Sequence, residues 1–260
     1  MRMKLLAGTT LAMLLAATPG AAQGDFDPSG ETGIPSDWQL SGKVGVVSDY
    51  RFRGTSYSDE DPAVQGRIEL SHRSGFYAGT WASSVDGFGA YGGGADLQLN
   101  LYTGYAGGLG AIGTYDAGVL WYLFPGTDET DFVELYGSVG FDVAGATAKV
   151  GTHWAPDQDN VNSNIYLYGD VGYGIPATPV TLTAHAGYSD GSYGLGGPGF
   201  SDNYMDWSLG ATTQLSGFDL GVRYVDTDIS KARERVLGIG GRGAPYIADA
   251  ALIFSLGYGF

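Results

Sequence analysis

The sequence predicts an all-β protein: a closed antiparallel transmembrane β-barrel of about 12 strands in up-and-down meander order. From Trp38 onward, segments of about ten residues alternate apolar and polar side chains, which is the period of a strand with two different faces. The connections between the segments alternate long and short, as in barrels with tight turns at one end and long loops at the other. Charged residues make up 16% of the chain, against about 25% in a typical soluble domain, and 45 residues are Gly.

Residues 1–22 are predicted to form a signal peptide. Arg2 and Lys4 give it a positively charged start, an apolar stretch runs from Leu5 to Ala17, and small residues end at Ala22, where cleavage is expected. The apolar stretch is short for a membrane-spanning helix, so a membrane anchor is the less favoured alternative.

The rest of the chain divides into two parts. Residues 23–37 are polar and contain Gly and Pro, which predicts an exposed N-terminal segment, and the barrel is predicted to occupy 38–260. The alternating segments predict strands at 38–53, 62–73, 75–85, 95–106, 112–123, 131–142, 145–155, 163–173, 178–188, 203–215, 217–227 and 248–260.

The predicted strand 95–106 illustrates the two faces. Leu97 and Leu101 lie on its apolar face, and Asn100 lies on its polar face. We expect the apolar faces to meet lipid and the polar faces to line the interior. Because lipid offers no hydrogen bonds to the backbone, the first strand must close on the last.

Aromatic side chains recur near the ends of the predicted strands. Such residues are typical of the two membrane–water interfaces, although strands also favour aromatic residues in general. The candidates for interface girdles are Trp38, Tyr50, Trp81, Tyr105, Trp121, Trp154, Tyr173, Tyr188, Tyr224 and Tyr258.

The chain ends with apolar side chains at every second position, and the last two of these are Tyr258 and Phe260. This ending resembles that of many bacterial outer-membrane proteins. The resemblance implies that Tyr258 and Phe260 act as an assembly signal for the barrel-assembly machinery of the envelope. Together with the signal peptide, it predicts export through the periplasm to the cell outer membrane of a Gram-negative bacterium.

Four segments resemble the TorF-type porin family. They are SDYRFRG at 48–54, PAVQG at 62–66, SGFYAGTWASSVD at 74–86 and YVDTDI at 224–229. The resemblance covers about 44–260 and is densest near its beginning. It implies an outer-membrane porin, but no particular solute and no functional residues.

The sequence offers few candidates for chemistry. A net charge of −15 argues against nucleic acid as a partner, because binding to phosphates needs Lys and Arg. There are no Cys and three His, and His72 follows Ser71 directly, so the two side chains point to opposite faces and cannot form a nucleophile–base pair. We therefore predict no enzyme activity. An outer-membrane hydrolase is the third candidate, after the porin and the structural or adhesive barrel given below.

The segment 157–160 (DQDN) resembles the start of a calcium-binding loop. However, Asn162 and Tyr168 stand where such a loop has Gly and Glu, so no metal site and no cofactor are predicted.

Charged residues on the polar faces are the candidates for pore lining. They comprise Lys43, Asp49, Arg51, Arg53, Arg67, Glu69, Asp96, Asp116, Glu134, Lys149, Asp170, Asp219 and Arg223. The candidates for the external mouth are acidic in the first five long loops and basic in the sixth, where they could fold toward the acidic mouth. They comprise Asp59, Glu60, Asp61, Asp128, Glu129, Asp157, Asp159, Lys231, Arg233 and Arg235.

These features predict a porin for the passive diffusion of small solutes. The two signs of charge nearly balance on the polar faces, whereas the mouth is mainly acidic, so a weak preference for cations is expected. The predicted partners are outer-membrane lipid, the assembly machinery and small solutes. The alternative is a non-conducting structural or adhesive barrel whose loops bind a partner.

Overall fold

The computed structural model describes residues 37–86, 94–127, 130–158, 161–191, 202–237 and 246–260. The predicted signal peptide and nearly all of the exposed N-terminal segment lie outside these residues. Twelve strands form a closed antiparallel barrel, in which each strand pairs with the barrel strands before and after it in the chain and the first closes on the last. The barrel strands are β1 (Trp38–Val47), β4 (Ala63–His72), β5 (Phe76–Ser84), β6 (Leu97–Gly108), β7 (Thr114–Leu123), β8 (Phe132–Val143), β9 (Ala146–Ala155), β10 (Asn164–Gly174), β11 (Val180–Gly191), β12 (Asp202–Leu215), β13 (Phe218–Thr227) and β14 (Ala251–Gly259).

The predicted fold class is confirmed, and the strand bounds agree with the prediction to within three residues, apart from one. The first strand was predicted to reach residue 53, but β1 ends at Val47. Both ends of the barrel sequence, Trp38 and Phe260, lie at the end of the barrel that carries the short turns. We call this the short-turn end, and the other the long-loop end.

The segment that follows β1 folds into the barrel, where the sequence had predicted a strand and an external loop. We call residues 48–61 the inner loop. It contains a small hairpin of β2 (Arg51–Phe52) and β3 (Thr55–Ser56), and every residue from 49 to 59 is buried. The hairpin reverses direction at Arg53 and Gly54, which have φ values of 47° and 84°. Glycine tolerates this left-handed conformation without strain, which helps the chain to turn inside the barrel.

The outer surface of the barrel is an apolar belt. On β6, Leu97 and Leu101 are exposed, whereas Gln98, Asn100 and Tyr102 are buried inside, as the alternation predicted. The same arrangement holds around the barrel, because every barrel strand has at least one large apolar side chain exposed on the outer surface. A continuous exposed apolar surface of this kind is suited to lipid.

Two aromatic residues predicted for the interface girdles turn inward instead. Tyr50 belongs to the inner loop, and Trp81 faces the interior of β5 and is only 3% exposed. Their rings pack against each other at a centroid distance of 5.3 Å. Trp38, Trp121 and Trp154 are exposed on the outer surface, where the girdle prediction placed them.

The seam between β1 and β14 is completed by the last residue. The Phe260 amide donates to the Gly42 carbonyl at 2.9 Å, and the Gly42 amide donates to the Phe260 carbonyl at 2.8 Å. The Phe260 ring lies flat over Gly42, so closely that a Cβ on residue 42 would come within 2.4 Å of it. The seam therefore depends on a side chain at 260 and on the absence of one at 42.

The described residues include a short helix, α1 (Lys231–Leu237), in the connection between β13 and β14. None of the helices among them is long and apolar enough to cross a membrane.

Candidate functional site

The interior of the long-loop half is centred on an ion pair between the inner loop and the barrel wall. Arg53 Nη2 donates to both carboxylate oxygens of Glu134 on β8, at 2.7 and 2.8 Å. Tyr122 donates to the same carboxylate at 3.0 Å, and His153 Nδ1 lies 3.1 Å from it. The Arg53 guanidinium also stacks 4.3 Å from the Tyr166 ring centroid. These contacts dock the tip of the inner loop against β7 to β10.

A second set of contacts docks the inner loop against the opposite wall. Arg51 donates to the carbonyl oxygens of Ile247 and Asp249, just before β14, at 2.7 and 3.0 Å. It also forms ion pairs with Asp49 and Glu60 in its own loop. Because almost no part of the Arg51 side chain is exposed, these bonds hold both ends of the hairpin in place.

The helix α1 is connected to the same region. Its Glu234 is buried and accepts hydrogen bonds from the backbone amides of Ile247 and Ala248 at 2.8 and 2.9 Å. The Ile247 carbonyl in turn accepts from Arg51 and from the Ser56 amide. The helix therefore braces the segment that holds the inner loop.

A histidine lies between two carboxylates on the wall of β10 to β12. His185 Nδ1 is 2.7 Å from Asp170, and its Nε2 is 3.1 Å from Asp206. The Tyr166 hydroxyl is 2.8 Å from the same Nε2 and 3.0 Å from Asp206. Lys149 lies at 4.0 Å from Asp170 and extends the network toward β9.

The short-turn half carries further paired groups. Tyr77 donates to Asp116 at 2.5 Å and contacts the Tyr136 hydroxyl, and Tyr102 donates to Glu69 at 2.9 Å. Lys43 pairs with Asp219 across the seam region. The charges of the interior are thus largely neutralised in local pairs, which lowers the cost of placing them inside the barrel.

Large and small side chains are distributed unevenly around the interior. The walls from β5 to β10 carry aromatic residues, whereas the walls from β11 through β14 to β1 carry many small ones beside the charged and polar groups already described, with Tyr204 as a large ring at the long-loop end. The aromatic wall comprises Tyr77, Trp81, Tyr102, Tyr122, Phe132, Tyr136, Tyr166 and Tyr168. The small-residue wall comprises Ser41, Gly45, Thr183, Gly187, Ser208, Gly210, Thr212, Gly221, Ser255 and Gly257.

Glycines allow the interior tyrosines to lie against their own wall. A Cβ at Gly104 would come within 2.4 Å of the Tyr77 hydroxyl, and one at Gly79 within 2.4 Å of the Tyr102 hydroxyl. The rings therefore cover the glycines of the neighbouring strands, and the high glycine content has a packing reason.

The predicted pore-lining residues fall into three groups. Those that lie on strands and face the interior are Lys43, Arg67, Glu69, Asp116, Glu134, Lys149, Asp170, Asp219 and Arg223. Asp49, Arg51 and Arg53 were predicted on the first strand, but they lie in the inner loop, because the chain leaves the wall at Val47. Asp96 precedes β6 and is exposed at the long-loop end, so it lies at the rim and not on a strand of the wall.

The predicted mouth residues are also divided. Asp59 is only 8% exposed, because it is part of the inner loop, and Glu60 pairs with Arg51, so neither is a free charge at the mouth. Asp61 and Asp157 are exposed. Asp128, Glu129 and Asp159 lie outside the described residues.

The basic residues of α1 have partners of their own. Lys231 pairs with Asp249 at 2.7 Å, and Arg233 donates to the Asn203 carbonyl at 2.8 Å. Arg235 donates to the Tyr246 hydroxyl. These bonds hold the basic side chains at the rim and do not direct them into the barrel.

The sequence analysis missed two polar side chains of the interior. Asp206 and Tyr166 are buried in the network around His185, but they were not among the candidates. Asp206 lies on the same face of its strand as Tyr204 and Ser208, so the alternation of two could have identified it.

The side chains of the two interior histidines, His153 and His185, form no hydrogen bond with a serine, threonine or cysteine among the described residues. His72 Nδ1 does lie 2.7 Å from Ser74 Oγ, but on an exposed turn, and it forms no ion pair with a carboxylate in the described ranges. The arrangement of a nucleophile, a base and an orienting acid is therefore not found there. The described residues also contain no group of three or more His, Cys, Asp or Glu that could hold a metal ion.

A closed barrel with an apolar belt outside and paired charges inside defines a barrel of the outer-membrane type. The family described as bacterial proteins of unknown function (Gcw_chp) matches residues 31–260, and the chain belongs to this family. That description does not carry the TorF-type name, so the resemblance to TorF-type porins stays a prediction. No curated protein sequence matches the chain.

Solved structures of porins share the fold. The NanC porin is 12% identical with a TM-score of 0.55, and the alignment covers 85% of this chain and 99% of that one. The KdgM porin, solved in complex with disordered oligogalacturonate, is 7% identical with a TM-score of 0.53, covering 85% of this chain and 97% of that one. At these identities the similarity concerns the fold alone.

Proposed function

We propose that the protein is a narrow outer-membrane porin through which small solutes diffuse passively, without a cofactor and without enzyme activity. The observation that carries the proposal is the unevenly filled polar interior: the inner loop docks on the aromatic wall through Arg53 and on the segment before β14 through Arg51, yet space remains between it and the small-residue wall of β13, β14 and β1. A solute path along that wall, past the inner loop, would be lined by Ser, Thr and Gly together with the charged groups of Lys43, Asp219 and Arg223. The two porins of the same fold support this reading.

The solute is proposed to be small and not an acidic sugar chain. The KdgM porin is described with oligogalacturonate, and a pore that draws such a polyanion needs an excess of basic residues. The interior of this barrel instead holds its Lys and Arg next to carboxylates, as in Arg53–Glu134 and Lys43–Asp219.

A weak preference for cations is part of the proposal. The exposed acidic side chains at the long-loop end outnumber the basic ones on α1, and the basic ones are engaged at the rim. Besides Glu60, which pairs with Arg51, the exposed acidic residues described at that end are Asp61, Asp96, Asp131, Asp157, Asp190 and Asp228.

We expect the folded protein to conduct in a planar bilayer with a modest cation preference that weakens as salt rises. The physical reason is screening, since the Debye length falls from about 10 Å at 0.1 M salt to about 3 Å at 1 M. The reversal potential across a salt gradient, at low and at high ionic strength, measures the effect. Substituting Lys231, Arg233 and Arg235 by Ser should strengthen the preference, whereas an anion-selective wild type would contradict the proposal.

A non-conducting structural or adhesive barrel is the second candidate. It is favoured by the burial of the inner loop, which fills much of the long-loop half. The conductance measurement separates the two candidates, because folded protein that never conducts would support the second.

The location follows from the same proposal. The long-loop end would face the outside, and both termini would face the periplasm, after export with a cleaved signal peptide. The barrel-assembly machinery would recognise Tyr258 and Phe260, whose side chains are exposed on the outer surface at the short-turn end.

Replacing Phe260 by Asp, or deleting it, is expected to lower the amount of folded protein in the outer membrane. The change removes the proposed recognition residue and, in the same step, the ring that covers Gly42 at the seam. The measurement is the heat-modifiable fraction in isolated outer membranes, compared with Asn162→Ala in an exposed loop. Equal fractions for the two variants would argue against a role of Phe260 in assembly.

A further inference from the structure

A cavity lies within the barrel, between the inner loop and the wall of β13, β14, β1 and β4. It is therefore on the side of the small-residue wall, along the proposed solute path. Arg223 on β13, Ser255 on β14 and Gln65 on β4 contribute to its lining, together with Asp49 and Arg51 of the inner loop.

The guanidinium of Arg223 is without a partner in this cavity. It makes no hydrogen bond and no ion pair within 4.0 Å with any residue of the described ranges. Arg51, the other cation of the lining, is in contrast fully engaged by carboxylates and backbone carbonyls. The Arg223 side chain is only partly buried, and a bound anion would accept from guanidinium donors that no described protein group uses.

The carboxylates that act electrostatically on Arg223 interact with other groups as well. Asp49 accepts from Arg51 and from Ser56, and Asp206 lies against His185 and Tyr166. These carboxylates attract the Arg223 guanidinium electrostatically, but each also interacts with the partners just named. The negative charge nearby therefore favours a ligand with a single negative charge over one with several.

Two further polar atoms of the lining are buried without a partner. Gln65 is only 2% exposed, and its amide nitrogen donates to Ser83 at 3.2 Å, while its Oε1 accepts no hydrogen bond. The Ser255 hydroxyl also has no partner among the described residues. Unpaired polar groups of this kind are uncommon in protein interiors and call for an explanation.

We propose that the cavity binds a small carboxylate that carries a hydroxyl group, as a 2-hydroxy acid does. The three unpaired groups complement such a molecule: Arg223 pairs with the carboxylate, Ser255 donates to it, and Gln65 Oε1 accepts from the ligand hydroxyl. The inference rests on the proposed function in that it names the solute class of the same interior, but binding itself does not require conduction.

The test is calorimetric titration of L-lactate into the folded protein in detergent micelles. Wild type is expected to bind lactate, and to bind propionate, which lacks the hydroxyl, several-fold more weakly. Arg223→Gln should weaken lactate binding by about tenfold or more, because a charge-assisted bond is lost. Arg73→Gln, the same chemical change on an exposed turn, should leave it unchanged.

Ser255→Ala is a second variant that does not endanger folding, because the hydroxyl that it removes has no partner. It should weaken lactate binding several-fold while leaving the heat-modifiable gel migration unchanged. If wild type fails to bind lactate, or if Arg223→Gln and Ser255→Ala bind it as tightly as Arg73→Gln, the site is overturned.

Conductance in potassium chloride separates this inference from the proposed function. Conduction without lactate binding would overturn the site and leave the channel, whereas lactate binding without conduction would support the site and overturn the channel.

Discussion

Replacing Arg53 by Met is expected to destabilise the docked inner loop by about 3–5 kcal/mol, because it leaves a buried carboxylate without its cation. Glu134 is only 1% exposed in its side chain, and both its oxygens accept from Arg53. Tyr122 and His153 remain near the carboxylate, but they do not replace a guanidinium that binds both oxygens. The tip of the loop should therefore leave the wall, and we expect the conductance to rise several-fold.

Two measurements follow the two parts of this prediction. Hydrogen exchange of the amides in residues 48–61 reports the undocking, and single-channel conductance reports the opening. Arg73→Gln is the control, since it removes an ion pair with Asp37 that is exposed and lies at the short-turn end, away from the inner loop. Faster exchange in the Arg53 variant with unchanged conductance would mean that the inner loop does not obstruct the path.

The double variant Arg53→Met with Glu134→Leu tests whether the unpaired charge is the cause. When both members of a buried ion pair become apolar, the desolvation cost disappears along with the attraction. We therefore expect the double variant to be more stable than Arg53→Met alone. If the two variants are equally destabilised, the packing of Arg53 on Phe52 and Tyr166 carries the docking instead.

The strands could be predicted from the sequence because each has one face toward lipid and one toward polar groups. The alternation then fixes both the position and the facing of a strand, and Gln98, Asn100 and Tyr102 lie inside as predicted. The connection lengths fix the order, since a tight turn can join only neighbouring antiparallel strands.

The inner loop could not be predicted in the same way. The sequence of residues 48–53 alternates as a strand does. Its charged residues would suit a polar interior whether the segment formed a strand of the wall or a loop inside the barrel. What distinguishes the loop is a set of distant contacts, from Arg53 to Glu134 and from Arg51 to Ile247, and a local pattern does not encode such contacts.

Residue type alone also failed to predict which aromatic side chains face the interior. Trp81 and Trp121 both lie in alternating segments near the long-loop end, yet Trp81 packs on Tyr50 inside and Trp121 is exposed outside. The parity of the strand would have assigned Trp81 to the interior, whereas the expectation of a girdle assigned it to the surface. For a residue on a barrel strand, facing is thus better predicted from alternation than from residue type.

Replacing Leu209 by Arg is expected to destabilise the barrel by about 2–4 kcal/mol, because it places a cation against lipid near the middle of the membrane. Leu209 lies in the middle of β12 and is 63% exposed on the outer surface. The measurement is urea unfolding in lipid vesicles, with the free energy of unfolding obtained by linear extrapolation.

The matched control is Thr212→Arg on the same strand. Thr212 belongs to the small-residue wall and is only partly buried, so an arginine there has polar surroundings and should cost much less. A fully buried interior position such as Asn100 would not serve, since a larger side chain would overpack it and the cost would not report on lipid. If Thr212→Arg proves more destabilising than Leu209→Arg, the facing of β12 is the reverse of the one described. The small-residue wall, and with it the proposed solute path along β12, would then be wrong.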